Sequence, residues 1–333
     1  MSTISLSRRD LLWGVGSIFS ASALLSVPRS AGAFLTEVTA ATASTPGAAT
    51  AASAGQLTIG GDLRVNRMGY GAMRITGPGI WGNPGDPAAA KRLLQRAVAL
   101  GVNFIDTADA YGPDVSEILI AEALHPYPKG LVIATKGGLK RPTQPEWTND
   151  GRPQHLRAAC EASLRKLKLE RIDLYQLHAV DPAVPLEDSL GELLKLQKEG
   201  KIRHIGVSNF EVSELERAAK VVKVVSVQNR YNVADRRSED VVQYCAKHGI
   251  AFIPWAPLAQ RQQSAGEENP QIAALSTLAK QRGITVTQAA LGWLLARSPV
   301  MLPIPGTSSI GHLEENIAAA AVRLSPADME KIG

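Results

Sequence analysis

Asp106 and Tyr111 stand five residues apart at the end of an apolar run, 102–105, that breaks off abruptly into polar side chains. Two further apolar runs end the same way, 131–136 in Lys136 and 172–178 in His178. A carboxylate, a phenol, an ammonium and an imidazole together form a device for placing a proton on an oxygen. A lysine buried beside a carboxylate stays charged, and its charge favours ionisation of a neighbouring phenol, drawing the phenol down from about 10 towards working pH. So tuned, Tyr111 is a general acid for a carbonyl oxygen that His178 holds by hydrogen bonding. Taken singly these residues mean little: a strand-end Asp or Lys is usually a cap, and lone histidines such as His125, His155, His204 and His248 are usually structural or solvated. Their order on successive strand ends is what makes one site of them.

The elements that must position them follow from hydrophobic spacing. Leu57 to Val65 reads as a hairpin turning at Gly60-Gly61-Asp62. Strands are expected over 67–73, 102–107, 131–136, 172–178, 202–208, 224–230, 250–255 and 300–304. Amphipathic helices are expected over 88–100, 156–169, 186–198, 212–221, 238–247, a segment 270–297 split near Gly283, and 312–322. Strand and helix alternating in this way predict a (β/α)8 TIM barrel, an α/β fold whose strand C-termini collect the chemistry. An open doubly wound sheet competes, but Gly69-Tyr-Gly71-Ala-Met-Arg74 is not the G-x-G-x-x-G loop it requires.

Asn103-Phe-Ile-Asp106-Thr-Ala-Asp-Ala-Tyr111-Gly112, Ala134-Thr-Lys136, Gln176-Leu-His178 and Ile205-Gly-Val-Ser208-Asn209-Phe210 resemble the aldo-keto reductase family from about residue 57 to 333. The resemblance implies a barrel that binds NADPH, with NADH as the alternative, and passes hydride from nicotinamide C4 to an aldehyde or ketone. It implies catalytic roles for Asp106, Tyr111, Lys136 and His178. Ser208, Asn209 and Gln228 correspond to contacts of the nicotinamide carboxamide, Trp255 to the ring stacked on the nicotinamide, and Met73 and Arg74 to backbone contacts nearby. At Ala256-Pro257-Leu258 the family often has a serine hydroxyl for the pyrophosphate, which Ala256 lacks. Gly306 and His312 replace a lysine and an arginine that grip the 2′-phosphate in the better-known branch. Thr307, Ser308 and Ser309, at a helix N-terminus, are left to take that role with His312, and Asn316 corresponds to an adenine contact. A rival implied by the same resemblance is a cofactor-sensing regulatory subunit that turns over slowly. Trp81 either lines the substrate pocket or anchors its loop.

The remaining signals concern where the protein works. Residues 1–33 hold Arg8-Arg9, an apolar stretch from Leu11 to Val27 and Ala31-Gly32-Ala33, which predicts a twin-arginine export signal and a periplasmic or extracellular location, or a cytoplasmic one if the signal is inefficient. The apolar stretch is too short and weak for a comfortable span, so no membrane insertion is expected after cleavage. Residues 34–55 are rich in Ala, Thr and Ser and predict a flexible linker before the barrel at 56–333. A net charge of +5 without a Lys/Arg run argues against nucleic acid. Cys160 and Cys245, the only cysteines, predict buried thiols, and no metal site is expected. The last residues, 324–333, bring no long tail to close the pocket, which predicts a wide site for a small-molecule carbonyl substrate.

Overall fold

A computed structural model of the protein describes residues 49–258 and 269–333. The export signal expected over 1–33 and most of the linker lie outside the described residues. The linker's end needs correcting: Ala51–Ala54 form a 3₁₀ turn with Ala51 and Ala54 buried. Ala51 N donates to Leu100 O at 2.9 Å, and Arg323 donates to Ser53 O. Alanines offer too little apolar area to be recognised as core by composition, yet they fit flush against the C-terminal end of a helix.

The first hairpin forms as expected, β1 (Gln56–Ile59) pairing antiparallel with β2 (Leu63–Asn66). Its turn needs left-handed backbone, which Gly60 and Gly61 supply at φ 67° and 99°. Ile59, Leu63 and Val65 share one apolar cluster with Phe104, Val132 and Leu174. The hairpin therefore plugs the cylinder at the end opposite the strand C-termini.

Seven parallel strands build the wall: β3 (Tyr70–Gly71), β4 (Phe104–Asp106), β5 (Val132–Gly137), β8 (Ile172–Leu177), β9 (Ile202–Ser208), β10 (Val224–Gln228) and β11 (Ala251–Phe252). Each pairs with its sequence neighbour, giving the order β11-β10-β9-β8-β5-β4-β3. The stretch 300–304 closes the ring by single bonds rather than a ladder. Phe252 N donates to Val300 O at 2.9 Å, Leu302 N to Phe252 O at 2.8 Å, and Gly69 N to Pro303 O at 2.9 Å. Pro303 and Pro305 have no N–H to give, which keeps this eighth staple from becoming a strand.

The helices are α1 (Pro87–Ala99), α2 (Val115–Leu124), α3 (Pro153–Leu167), α4 (Leu186–Lys198), α5 (Val212–Ala218), α6 (Glu239–His248), α7 (Pro270–Arg282), α8 (Val286–Arg297), α9 (Ile310–Ala318) and α10 (Pro326–Ile332). Their ends carry the expected local chemistry: Asp86 caps α1 by accepting from Ala89 N, and Gly283 ends α7 in the left-handed region. Helix α2 escaped the sequence reading because it is apolar nearly all round and shows no stripe. The short hairpin of β6 (Leu139–Lys140) and β7 (Thr148–Asn149) escaped too, its strands being two residues each. No described helix is long and apolar enough to cross a membrane.

Candidate active site

The register of the sheet brings the four expected groups to one level. Asp106 lies across from Ala134 on β5, and Lys136 across from Gln176 on β8. Lys136 Nζ donates to Asp106 Oδ2 at 2.7 Å, to Thr107 O at 2.8 Å and to Tyr111 Oη at 3.4 Å. All three ammonium protons are thus directed, and the side chain is fully buried. An ammonium accepts nothing, so Tyr111 receives a hydrogen bond from Lys136 and its own phenolic proton is free for another acceptor. His178 follows β8, with its ring centroid 5.9 Å from that of Tyr111 and nearly perpendicular to it.

Burial sets the protonation states. Burial pushes the Tyr111 phenol above its ordinary value, outweighing the nearby Lys136 charge that acts to lower it. This corrects the expected direction: the lysine limits the rise and does not reverse it, because desolvating a phenolate costs more than one shared cation returns. Burial acts to lower Lys136 as well, but the Asp106 charge and the hydrogen bonds to Asp106 and Tyr111 carry it above the usual ammonium range. His178 is held well below the ordinary imidazole value, by burial and then by Lys136. At neutral pH the site therefore contains an ammonium, a protonated phenol and a neutral imidazole whose Nδ1 is sealed off without a partner among the described residues.

Two glutamines complete the layer. Gln176 Nε2 and Gln228 Nε2 donate to Asp106 Oδ1 at 3.2 and 2.8 Å. Gln228, expected at a nicotinamide carboxamide, directs this amide N–H to the Asp106 carboxylate. A buried carboxylate needs donors on both oxygens, and the two glutamines serve the one that Lys136 leaves free. Gln176 has no assigned role in the sequence reading, and its inward parity with Asp106 and Lys136 is the signal that points to it.

The residues expected at a cofactor line the rim from β9 round to α9. Ser208 Oγ donates to Gln228 O at 2.8 Å. Asn209, in the left-handed region at φ 60°, donates to His178 O at 3.1 Å and accepts from Trp255 Nε1 at 3.0 Å. Trp255 is half-buried with the Arg230 guanidinium 5.4 Å from its ring, Pro257 is buried, and Leu258 is the last residue before the undescribed stretch. Met73 and Arg74 lie in the 3₁₀ turn Ala72–Ile75, with Arg74 exposed. Gly306 packs main chain to main chain against β3: a Cβ there would lie 2.7 Å from Gly71 O. The absence of a lysine at 306 is thus built into the backbone. Thr307 is buried, Ser308 and His312 are exposed, and Asn316 is buried on α9. Ser309 caps α9, accepting from His312 N. Cys160 and Cys245 are buried free thiols, and no group suited to a metal occurs among the described residues.

An ammonium-bound phenol and a neutral imidazole meet at the strand C-termini of a parallel barrel, with no metal-ligand cluster among the described residues. Residues 67–333 match the model of the aldo/keto reductase family, and the chain belongs to that family. It is 50% identical over 275 residues to an uncharacterised oxidoreductase of Schizosaccharomyces pombe, spanning 83% of this chain and 88% of that one. Pyridoxine 4-dehydrogenase of Escherichia coli is 42% identical over 271 residues, with coverage of 80% and 93%. A Klebsiella pneumoniae aldo-keto reductase solved with NADPH superposes at a TM-score of 0.70 and 27% identity, covering 83% and 93%.

Proposed function

We propose that the protein reduces an aldehyde or ketone to the alcohol with NADPH, Tyr111 acting as the general acid. The observation that supports this most is the Lys136 hydrogen bond to Tyr111 Oη, which leaves a phenolic proton free beside His178. The rim fits a dinucleotide because Gly71 and Gly306 leave main chain bare where any Cβ would meet backbone, next to the capped N-terminus of α9. On this reading Trp255, Ser208 and Asn209 hold the nicotinamide end. Ala256, Pro257 and Leu258 border the diphosphate, and residues Gly306 to His312 with Asn316 take the adenosine phosphate. NADH is the alternative, since neither Gly306 nor His312 is a permanent cation.

Bound NADPH supplies the hydride that reaches the carbonyl carbon. His178, neutral, orients the carbonyl oxygen, and the charge growing on that oxygen is met by the Tyr111 proton. The Lys136 ammonium stabilises the tyrosinate left behind, and Asp106, held by two glutamines, keeps Lys136 charged. The similarity to pyridoxine 4-dehydrogenase makes pyridoxine, taken in the oxidative direction, a first substrate to try. A carbonyl panel read by loss of nicotinamide absorbance tests the reading, with alcohol formed in step with coenzyme consumed. Tight coenzyme binding without turnover on any carbonyl would favour a cofactor-sensing role instead.

Export completes the proposal: Arg8-Arg9 and the following apolar stretch direct the folded protein through the twin-arginine route. Replacing both arginines by lysine should hold the protein in the cytoplasm on fractionation. Unchanged distribution would remove the signal from the account.

A further inference from the structure

Three loops meet over Tyr111, and one buried arginine joins two of them. Arg141, in the loop between β6 and β7, is only 7% exposed. It donates from Nε to Glu146 O at 2.9 Å within its own loop, and from Nη1 to Ile80 O at 2.9 Å and Nη2 to Gly79 O at 3.2 Å across to the loop after β3. Those two carbonyls converge because Gly79 and Ile80 are consecutive left-handed residues, at φ 69° and 59°. For a β-branched isoleucine that backbone is strained, and it persists where surrounding contacts over-determine it. Gln144 Nε2 adds a bond to Pro78 O at 3.1 Å. The loop after β3 is tied in turn to the tyrosine loop, Gly82 N donating to Gly112 O at 2.6 Å.

The arginine also carries two indoles. Its guanidinium lies 4.0 Å from the Trp147 ring centroid and 5.3 Å from that of Trp81, and among the described residues no carboxylate pairs with it. Trp147 stands almost perpendicular to both Tyr111 and His178, with centroids 6.5 Å from each. It nevertheless remains 38% exposed. A large apolar ring held in solvent by a buried cation, next to the reacting groups, marks a surface meant to be covered by a ligand.

We infer that Arg141 is a positioning residue for substrate selection. It fixes Trp147 and Trp81 as a wall beside the Tyr111–His178 pair, and this wall selects carbonyls borne on a planar aromatic ring over aliphatic ones. A carbonyl oxygen bound between Tyr111 and His178 projects its substituent towards Trp147, where a flat ring packs against indole and a flexible chain gains less. The inference rests on the proposed reductase activity and deepens it.

The test compares kcat/KM for benzaldehyde and butanal with NADPH in the full chain and in Arg141→Met, Arg141→Lys and Trp147→Ala, with NADPH affinity measured by fluorescence as a check on the barrel. The ratio of benzaldehyde to butanal should fall about tenfold in Trp147→Ala and in Arg141→Met. Arg141→Lys should resemble Arg141→Met, because an ammonium lacks the spread, planar fork of donors that reaches Glu146 O on one side and Ile80 O and Gly79 O on the other. If Arg141→Met fails to fold, Trp147→Ala and Trp81→Ala decide the matter. A ratio that stays put, or equal losses on both aldehydes, overturns the inference while leaving the reductase reading intact. Absence of NADPH-dependent reduction of either aldehyde by the unaltered protein would instead strike the reductase reading itself.

Discussion

Lys136 is the residue that holds the site's charges together, and its substitution exposes two dependences at once. In Lys136→Met the Asp106 carboxylate stays buried with only glutamine amides to meet its charge. Stability should drop by about 3–5 kcal/mol, the usual result of removing one partner of a buried pair. Denaturant unfolding checks this, and a loss below 1 kcal/mol, roughly the worth of an exposed pair, would mean that the pair is not buried as described. His178 makes the complementary prediction in pH. Its folded pKa lies well below the ordinary 6.5, so the imidazole stays neutral as the solution passes through that value. Carbonyl reduction should therefore show no acid limb near pH 6.5, and a pH–rate profile with one would contradict a neutral His178. The sign for stability follows: the unfolded chain takes up the proton first, so His178 lets stability fall as pH drops below about 6.5.

At the scale of elements, β3 and the segment after the eighth staple pack main chain against main chain. Gly306→Ala places a Cβ 2.7 Å from Gly71 O. It should cost about 1–3 kcal/mol through overpacking, read as a lowered Tm, and a neutral effect would show that the two segments can part. His312 caps nothing with its side chain and stands exposed at the start of α9. His312→Ala should weaken NADPH binding more than NADH binding, and equal effects would remove His312 from 2′-phosphate recognition. These elements also show what the sequence made legible. Asp106, Lys136 and His178 stood out because each closes an apolar run with inward strand parity, and Tyr111 because it follows Asp106 at the same strand end. Helix α2 did not, since its apolar residues, exposed Ile118 among them, are spread round the helix and leave no stripe to mark it. The Arg141–Trp147 wall was equally hidden: it depends on two-residue strands and on loop carbonyls turned by Gly79 and Ile80, contacts that no local spacing encodes. The direction of the Tyr111 shift needed the degree of burial, which only packing supplies.

For the whole molecule, the wall of the barrel near Tyr111 hides a second ionisable group of residues outside the tetrad. Asp109 and Glu117 are raised above the usual carboxylate range by burial first, with their mutual charge adding to the rise at Asp109. Among the described residues Asp109 Oδ1 and Glu117 Oε2 have no hydrogen-bond partner, although Lys166 Nζ lies 3.7 Å from Glu117 Oε2. The folded chain holds their protons to higher pH than the unfolded chain does, so stability falls as pH rises from about 4 through their folded values. Asp109→Asn, which keeps the shape and removes the charge, should stabilise the protein by about 1–2 kcal/mol at pH 7 and hardly at all near pH 4. Equal effects at both pH values would show that Asp109 ionises freely in the fold. The barrel thus tolerates costly groups behind its reacting face, while the hairpin plug and the apolar interior hold the cylinder in shape.

The most direct measurement is reduction by Tyr111→Phe, with NADPH binding followed separately by fluorescence. The phenyl ring keeps the packing against His178 and Trp147 and lacks only the proton. The rate of carbonyl reduction should fall by about 10²–10⁴-fold while NADPH affinity is retained. Turnover near that of the unaltered protein would contradict Tyr111 as the acid, and with it the chemistry assigned to this barrel.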